Sequence, residues 1–387
     1  MTQASVAVIG AGAMGASAAY HLARSGWRDI LLLDRSGGPG EGSTGRATGG
    51  FRAQFGTPVN VRLSLLAREA LGRFKDEIGA DPGYVQAGYL WLAQSEADRE
   101  ALRAALRVQH ASGLPEAAEV GPDEIGRLNP ALDRRGILSG TFCPTDGFIR
   151  PLAILKGYLD AAARHGVRVE WGTEVIGMRR GADGRIVEVE TSRRTIAVGA
   201  VVNAAGPWAG RVAALADATI PVTPLRRQAA ATVPCDLLPE EMPMTIFVGD
   251  GFHLRVRDGR VLLLRPTPGV AGRPFEASVD PAWVDDVART ARERVPVLRD
   301  AVIDDGACWA GLYEMSPDNH AILGPAPECP NLYLINGSSG HGVMHAPALG
   351  MLLAEIMTTG RAVTLDVETL SPGRFAKSQA GEVTDLL

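Results

Sequence analysis

The sequence predicts a mixed α/β (α+β) fold in which a Rossmann-like dinucleotide-binding domain is joined to a second domain built on an antiparallel sheet. Three observations carry this. The first 34 residues set down the strand Ser5-Val6-Ala7-Val8-Ile9, the turn Gly10-Ala11-Gly12-Ala13-Met14-Gly15, a helix with Ala18, Ala19 and Leu22, and the strand Ile30-Leu31-Leu32-Leu33 ended by Asp34. From about 215 to 318 the pattern changes to short apolar strands punctuated by proline and glycine. The final 60 residues return to strand, glycine loop and helix.

The opening unit has a physical reason at each position. Gly10 permits the tight turn, Gly12 lets backbone amides approach a pyrophosphate, and Gly15 allows helix and strand to pack closely. The amides of Ala13 and Met14 then lie at a helix N-terminus, which supplies partial positive charge. Asp34 is placed to accept hydrogen bonds from a ribose diol and argues against a 2′-phosphate, although Arg35 beside it could soften that exclusion.

The elements follow in order. Gly37 to Gly56 reads as a loop. Thr57-Pro58 looks like an N-cap followed by proline, opening a helix through about Asp76. Between 85 and 145, a strand over Gly88-Tyr89-Leu90-Trp91-Leu92 and a helix from about Glu96 to Ala111 form an apparent insertion. Pro151 starts an amphipathic helix ending near His165-Gly166, before a strand at Val167-Arg168-Val169-Glu170, a hairpin around Asp183-Gly184 and the apolar strand Ala200-Val201-Val202-Asn203. Strands at Phe252–Val256 and Val261–Leu264 and a helix near 281 to 294 belong to the second domain. Leu332–Asn336, the glycine loop Gly337 to Gly342 and a helix from Ala346 to Met357 resume the first. The expected division is 1–84, 146–214 and 319–387 for the dinucleotide domain, and 85–145 and 215–318 for the substrate domain.

Composition narrows the function. The chain has 387 residues, enough for two cores, and its net charge of −5 comes without a basic tract, which disfavours nucleic acid as a partner. No apolar run approaches the roughly 18 residues of a membrane span, and the first strand starts almost at Met1 with no charged leader, so a cytoplasmic location is expected. Cys143, Cys235, Cys308 and Cys329 are far apart, without metal-ligand spacing, and no metal is expected. Lysine occurs only at 75, 156 and 377.

Four stretches are more specific than the opening turn alone: Gly10 to Gly15 with Asp34; Gly42-Ser43-Thr44-Gly45-Arg46 leading to Arg52; Val202-Asn203-Ala204-Ala205-Gly206-Pro207-Trp208-Ala209; and Trp309-Ala310-Gly311 running to Gly337-Ser338-Ser339-Gly340-His341-Gly342. Together they resemble the FAD-dependent amine oxidoreductases of the D-amino-acid-oxidase superfamily, especially the sarcosine oxidase and dye-linked L-proline dehydrogenase branch. The resemblance implies a glutathione-reductase-2-type FAD domain, with FAD as cofactor. It places Ser43 and Thr44 near the pyrophosphate, Val175 near the adenine, and the last glycine loop beneath the isoalloxazine. Arg46 serves either the phosphates or another role, and His341 either lines the flavin edge or is held by backbone. Arg52, ten residues past Gly42, is implied to bind the substrate carboxylate, for which an arginine fork is suited.

Three departures limit the resemblance. Gly311 stands where some relatives attach FAD through cysteine, which favours non-covalent FAD. Met344, beside His345, replaces a second carboxylate-binding lysine, and no lysine lies in Val261–Leu264 where relatives promote reaction with oxygen. The expected function is oxidation of a secondary or N-methyl amino acid (sarcosine- or proline-like) by hydride transfer to flavin N5 giving an imine. His345 and His253 are the candidates for proton acceptance, and O2, a quinone or an electron-carrier protein is the acceptor. The rivals are a D-amino acid or 2-hydroxy acid oxidase or dehydrogenase, and a flavin subunit of a larger complex.

Overall fold

The computed structural model describes residues 2–267 and 273–375, and two eight-stranded sheets organise them. In the first sheet, Thr2–Ile9 lies at the centre, flanked in parallel by Thr195–Asn203 and Ile30–Leu33. Cys329–Asn336 and Arg168–Glu170 extend it in parallel on either side, and Ile322–Ala326 closes one edge antiparallel. The hairpin Val175–Arg180 with Ile186–Thr191 adds antiparallel to the outer half of Thr195–Asn203. Central parallel strands are covered on both faces, so they read as unbroken apolar runs: Ile30–Leu33 is buried at all four positions. One face packs on the helices Ala13–Arg24, Pro151–Arg164 and Gly342–Thr359, the other on Ala209–Ala214.

The second sheet runs in the order Trp309–Met315, Thr223–Ala231, Arg260–Leu264, His253–Arg257, Met244–Phe247, Tyr89–Ala93, Ser139–Cys143, Ala118–Val120. Its pairs are antiparallel except for Met244–Phe247 against Tyr89–Ala93. One sheet therefore combines strands from 89–143 with strands from 223–315. The helix Pro281–Arg294 covers one of its faces through Trp283, Val287 and Ala291.

Local signals explain several boundaries. Glu96–Ala111 begins at a capping box, where the Ser95 hydroxyl accepts from the Asp98 amide and the Asp98 carboxylate accepts from the Ser95 amide. Two expectations need correction. The helix opened by Pro58 stops at Gly72 and a separate turn, Phe74–Ile78, follows, while the Thr57 hydroxyl lies 3.1 Å from His320 Nε2 instead of capping the helix. The last helix starts at Gly342, four residues earlier than expected, and runs to Thr359. That shift decides which side chains of its first turn face inward.

Candidate active site

A single cavity of about 1250 Å³ extends from the opening glycine turn to the inner face of the second sheet. It exceeds the roughly 300–1,000 Å³ of ordinary small-molecule sites, leaving room for a dinucleotide and a further small ligand.

At one end the backbone is pressed together as only glycine allows. Gly10 has φ +104°, and a Cβ there would meet the Ala204 carbonyl oxygen at 2.3 Å, while one at Gly15 would meet the Gly10 oxygen at 1.9 Å. The helix Ala13–Arg24 carries no acid in its first turn and no side chain on its N-cap Gly12, so its positive end is unneutralised. The Ala13 amide donates to the Thr44 hydroxyl at 3.1 Å. Asp34 fixes the turn: Oδ2 accepts from the Ala11 amide at 2.7 Å, and Oδ1 accepts from the Ser36 amide and hydroxyl. Val175, Ala205, Gly206 and Trp208 line the same end. The Trp208 ring has the Arg35 guanidinium over it at 4.0 Å and stacks on Phe275.

In the middle, the Ser43 hydroxyl donates to the Leu312 carbonyl at 2.7 Å, tying the first loop to the second sheet. Arg46 donates to the carbonyls of Glu41 and Gly42 and lies against Gly311, where an added Cβ would meet the Arg46 Cβ at 2.9 Å. The loop Gly337–Gly342 closes this part. Ser339 sits at φ +48° with its hydroxyl donating to the Gly337 carbonyl, and Gly340, at φ +93°, is packed so closely on Tyr313 that a Cβ would lie 2.3 Å from the ring. Gly342 begins a helix with no acid in its first turn. Beside it, burial pushes the Glu314 carboxyl up to about 7 against the pull of the Gly337 and Ser338 amides, and its Oε2 is buried without a hydrogen-bond partner.

At the far end stands Arg52, only 5% exposed. It donates to the Gln54 carbonyl at 2.8 Å and to His341 Nε2 at 3.1 Å, and its guanidinium lies over the rings of Phe55 and Trp91. Arginine has no acceptor, so this contact requires an unprotonated His341 Nε2. Burial lowers the Arg52 pKa to about 10, opposed by Tyr89, Asp146 and Tyr313, and the residue stays charged at neutral pH. Asp146 backs the loop: it is fully buried, accepts from the Ala53 amide at 2.7 Å and from Gln54 Nε2 at 3.1 Å, and burial raises it to about 6. His253 faces the cavity with Nδ1 2.8 Å from the Gly251 carbonyl. A carbonyl can only accept, so Nδ1 carries the hydrogen and Nε2 keeps a lone pair. Burial, with Arg52 and Arg227, lowers His253 to about 4, so it is neutral at physiological pH.

The structure brings nearly all the sequence-selected residues to this cavity, with three exceptions. Gly15 serves helix–strand packing, as its spacing suggested. Gly337 is not a lining residue; it turns the chain at φ +68° against Ile322 and Ser316. His345 is a correction: it is 2% exposed, its Nε2 lies 2.9 Å from the Ser64 hydroxyl, and burial lowers it to about 3. Because the helix starts at Gly342, Met344 lines the cavity and the next residue, turned by about 100°, points into the packing with Pro58–Gly72. Arg255 is bonded to the Thr48 and Gly49 carbonyls, and Arg265 is paired with Asp286. Sequence reasoning missed Asp146, Glu314, Phe55 and Trp91, none of which lies in a recognisable motif.

These features suit FAD: close-packed glycines beside an uncapped helix N-terminus, an acid at the end of the second strand, and a long cavity. Residues 5–356 match the family model of the FAD dependent oxidoreductases (DAO). The chain belongs to this family. It is 28% identical over 408 residues to mitochondrial dimethylglycine dehydrogenase of Mus musculus, an alignment covering 99% of this chain and 45% of that protein. It spans about half the length of the first curated relatives it matches. Glycine oxidase of Geobacillus kaustophilus (strain HTA426) is 26% identical over 365 residues, covering 91% and 92% of the two chains. The crystal structure of L-proline dehydrogenase from P. horikoshii superposes with a TM-score of 0.90 at 28% identity, covering 98% of this chain and 100% of that one. Among the described residues no helix is long and apolar enough to cross a membrane, and no group of three or more potential ligands forms a metal site.

Proposed function

We propose that this chain oxidises the C–N bond of a secondary or N-methyl amino acid with non-covalently held FAD, in the cytoplasm, passing electrons on to O2, a quinone or an electron-carrier protein. The observation that carries the reading is Arg52, a charged fork held by the Asp146-backed loop at the end of the cavity away from the glycine turn. When bound, the flavin accepts the two electrons of the oxidised bond. Gly10, Gly12 and the amides of Ala13 and Met14 would hold the pyrophosphate, with Thr44 beside them, and Asp34 the ribose. Arg52 binds the substrate carboxylate, and the rings of Phe55 and Trp91 exclude water around it. His253 Nε2 accepts a hydrogen bond from the amine, while the neighbouring cations disfavour the ammonium, so the ammonium releases its proton to bulk water as it binds and the neutral amine stays on His253. Non-covalent attachment is supported by Gly311, which offers no thiol, and by Cys308, whose thiol donates to the Asp304 carbonyl.

The test is a visible spectrum of the purified protein, its denaturation, and anaerobic titration of the native form with sarcosine, L-proline, D-alanine and a 2-hydroxy acid. Absorbance near 450 nm that leaves with the supernatant and bleaches with sarcosine or proline is expected. Bleaching by D-alanine or the hydroxy acid alone would overturn the substrate assignment.

A further inference from the structure

The cavity holds another guanidinium to which the proposed chemistry assigns no ligand. Arg227, on the strand Thr223–Ala231, is half-buried and lines the cavity, and among the described residues no acid lies within ion-pair distance of it. Nη1 donates to the carbonyls of Arg226 and Thr267, at 3.3 and 2.7 Å, whereas Nε and Nη2 make no hydrogen bond to the described residues. The fork is thus anchored at one nitrogen and has the others unused.

Its position matters as much as its charge. The guanidinium lies 5.5 Å from the centre of the Tyr313 ring, Tyr313 packs on Gly340, and the next residue, His341, accepts from Arg52. Arg52 and Arg227 both act on the protonation of Tyr313 and of His253, which places the two cations around one space. The other arginines lining the cavity are committed elsewhere: Arg265 to Asp286, Arg35 to Glu174 and Trp208, Arg211 to the Phe275 ring it lies over at 3.9 Å, and Arg46 to the carbonyls beside Ser43. Arg52 has Asp146 behind it; burial disfavours the charged form of Arg227, and Tyr313 alone opposes this. A substrate with a neutral amine and one carboxylate balances Arg52 and leaves Arg227 uncompensated, an arrangement that natural sites avoid.

We propose that Arg227 is a second anion-binding residue of the substrate site and that the preferred substrates are secondary amino acids bearing a second carboxylate. This rests on the reading of the cavity as an amino acid oxidation site, and deepens it.

The experiment follows spectral perturbation of the flavin in the holoenzyme on titration with oxydiacetate, a diacid ether with no oxidisable amine, and with methoxyacetate, its monoacid counterpart. Oxydiacetate is expected to bind at least about tenfold tighter. Arg227→Gln should weaken it by roughly 10- to 100-fold, the range of a charge-assisted pair, while changing methoxyacetate affinity less than about threefold. Arg227→Lys, which keeps the charge and can still reach the backbone carbonyls, should recover part of the loss and guards against a folding defect. Equal affinity for the two ethers, equal losses for both in Arg227→Gln, or an altered flavin potential with diacid binding intact would each overturn the proposal. Reduction by sarcosine or proline without diacid preference would sink the second anion site alone. Selective diacid binding through Arg227 without reduction by any amine would sink the oxidation reading alone.

Discussion

Replacing Asp146 with asparagine should weaken substrate binding at neutral pH while leaving the protein at least as stable as before. Asp146 touches the cavity only through the loop it holds: Oδ1 accepts from the Ala53 amide and Oδ2 from Gln54 Nε2, which also donates to the Tyr89 carbonyl at 3.0 Å. An asparagine that keeps its oxygen on Ala53 presents an amide donor to Gln54 Nε2. Turning the Gln54 amide over would bring in Oε1, which has no partner now, but would take Nε2 away from Tyr89. One hydrogen bond and the charge assistance of another are lost either way, about 2 kcal/mol in all. Much of this falls on the placement of Arg52, so the dissociation constant for a carboxylate substrate should rise roughly 10- to 30-fold. Stability moves differently with pH. Burial raises Asp146 from 3.8 to about 6, so the folded state binds its proton more tightly than the unfolded chain. The penalty is absent well below pH 3.8, grows as pH rises, and is fully present above 6, where it reaches about 3 kcal/mol. The amide does not carry it. Asp146→Asn should therefore gain about 1 kcal/mol over the parent in urea unfolding at pH 7.5, where about 3 kcal/mol of relieved penalty outweighs about 2 of lost bonding, and lose no more than about 1 kcal/mol at pH 4.5, where only about 1 kcal/mol of penalty is relieved. Anaerobic reductive titration gives the binding term and separates it from the limiting rate. An unchanged dissociation constant, or a stability loss as large at pH 7.5 as at 4.5, would refute the reasoning.

His345→Gln should leave the limiting rate of flavin reduction within about threefold, because the ring is turned away from the cavity, and should lower the unfolding free energy by about 1–2 kcal/mol through the lost Ser64 contact. Stopped-flow reduction together with urea unfolding checks both halves, and a collapse of the rate with stability intact would restore His345 to the site. The flavin-free protein should lose stability on acidification from pH 6.5 to 5 at about 1.4 kcal/mol per pH unit. His21 and His253, lowered to about 4, and His345, lowered to about 3, are neutral when folded and take up protons on unfolding, whereas Asp146 and Glu314, raised to about 6 and about 7, release them, leaving a net uptake of about one proton. Urea unfolding across that range measures the slope, and stability that rises toward pH 5 would show that the buried carboxyls outweigh the histidines.

The legible parts of the site are those whose chemistry is local in the chain. Gly10, Gly12, Gly15 and Asp34 sit within one strand–turn–helix–strand unit, and their spacing reports a backbone geometry directly. Arg52 was reachable because a motif ten residues upstream fixes its loop. The helix Glu96–Ala111 was readable from its cap. By contrast, Asp146 meets Gln54 across 92 positions, and a lone buried acid leaves no periodic trace. Arg227 looks like one of two adjacent arginines until the sheet pairs it with Gly311 and brings the fork beside Tyr313. His345 was misread for a different reason: its identity suggested chemistry, but on a helix a displacement of one residue rotates a side chain by about 100°, and the true start at Gly342 was hidden inside a glycine-rich loop. Met344, chemically silent in the sequence, took the inward position. The glycine-turn end of the cavity is thus written in backbone-controlling residues and can be read along the chain. The other end of the cavity is assembled from side chains of the second sheet and of the loops that carry Arg52 and His341, so what it selects depends on contacts that only the three-dimensional pairing creates.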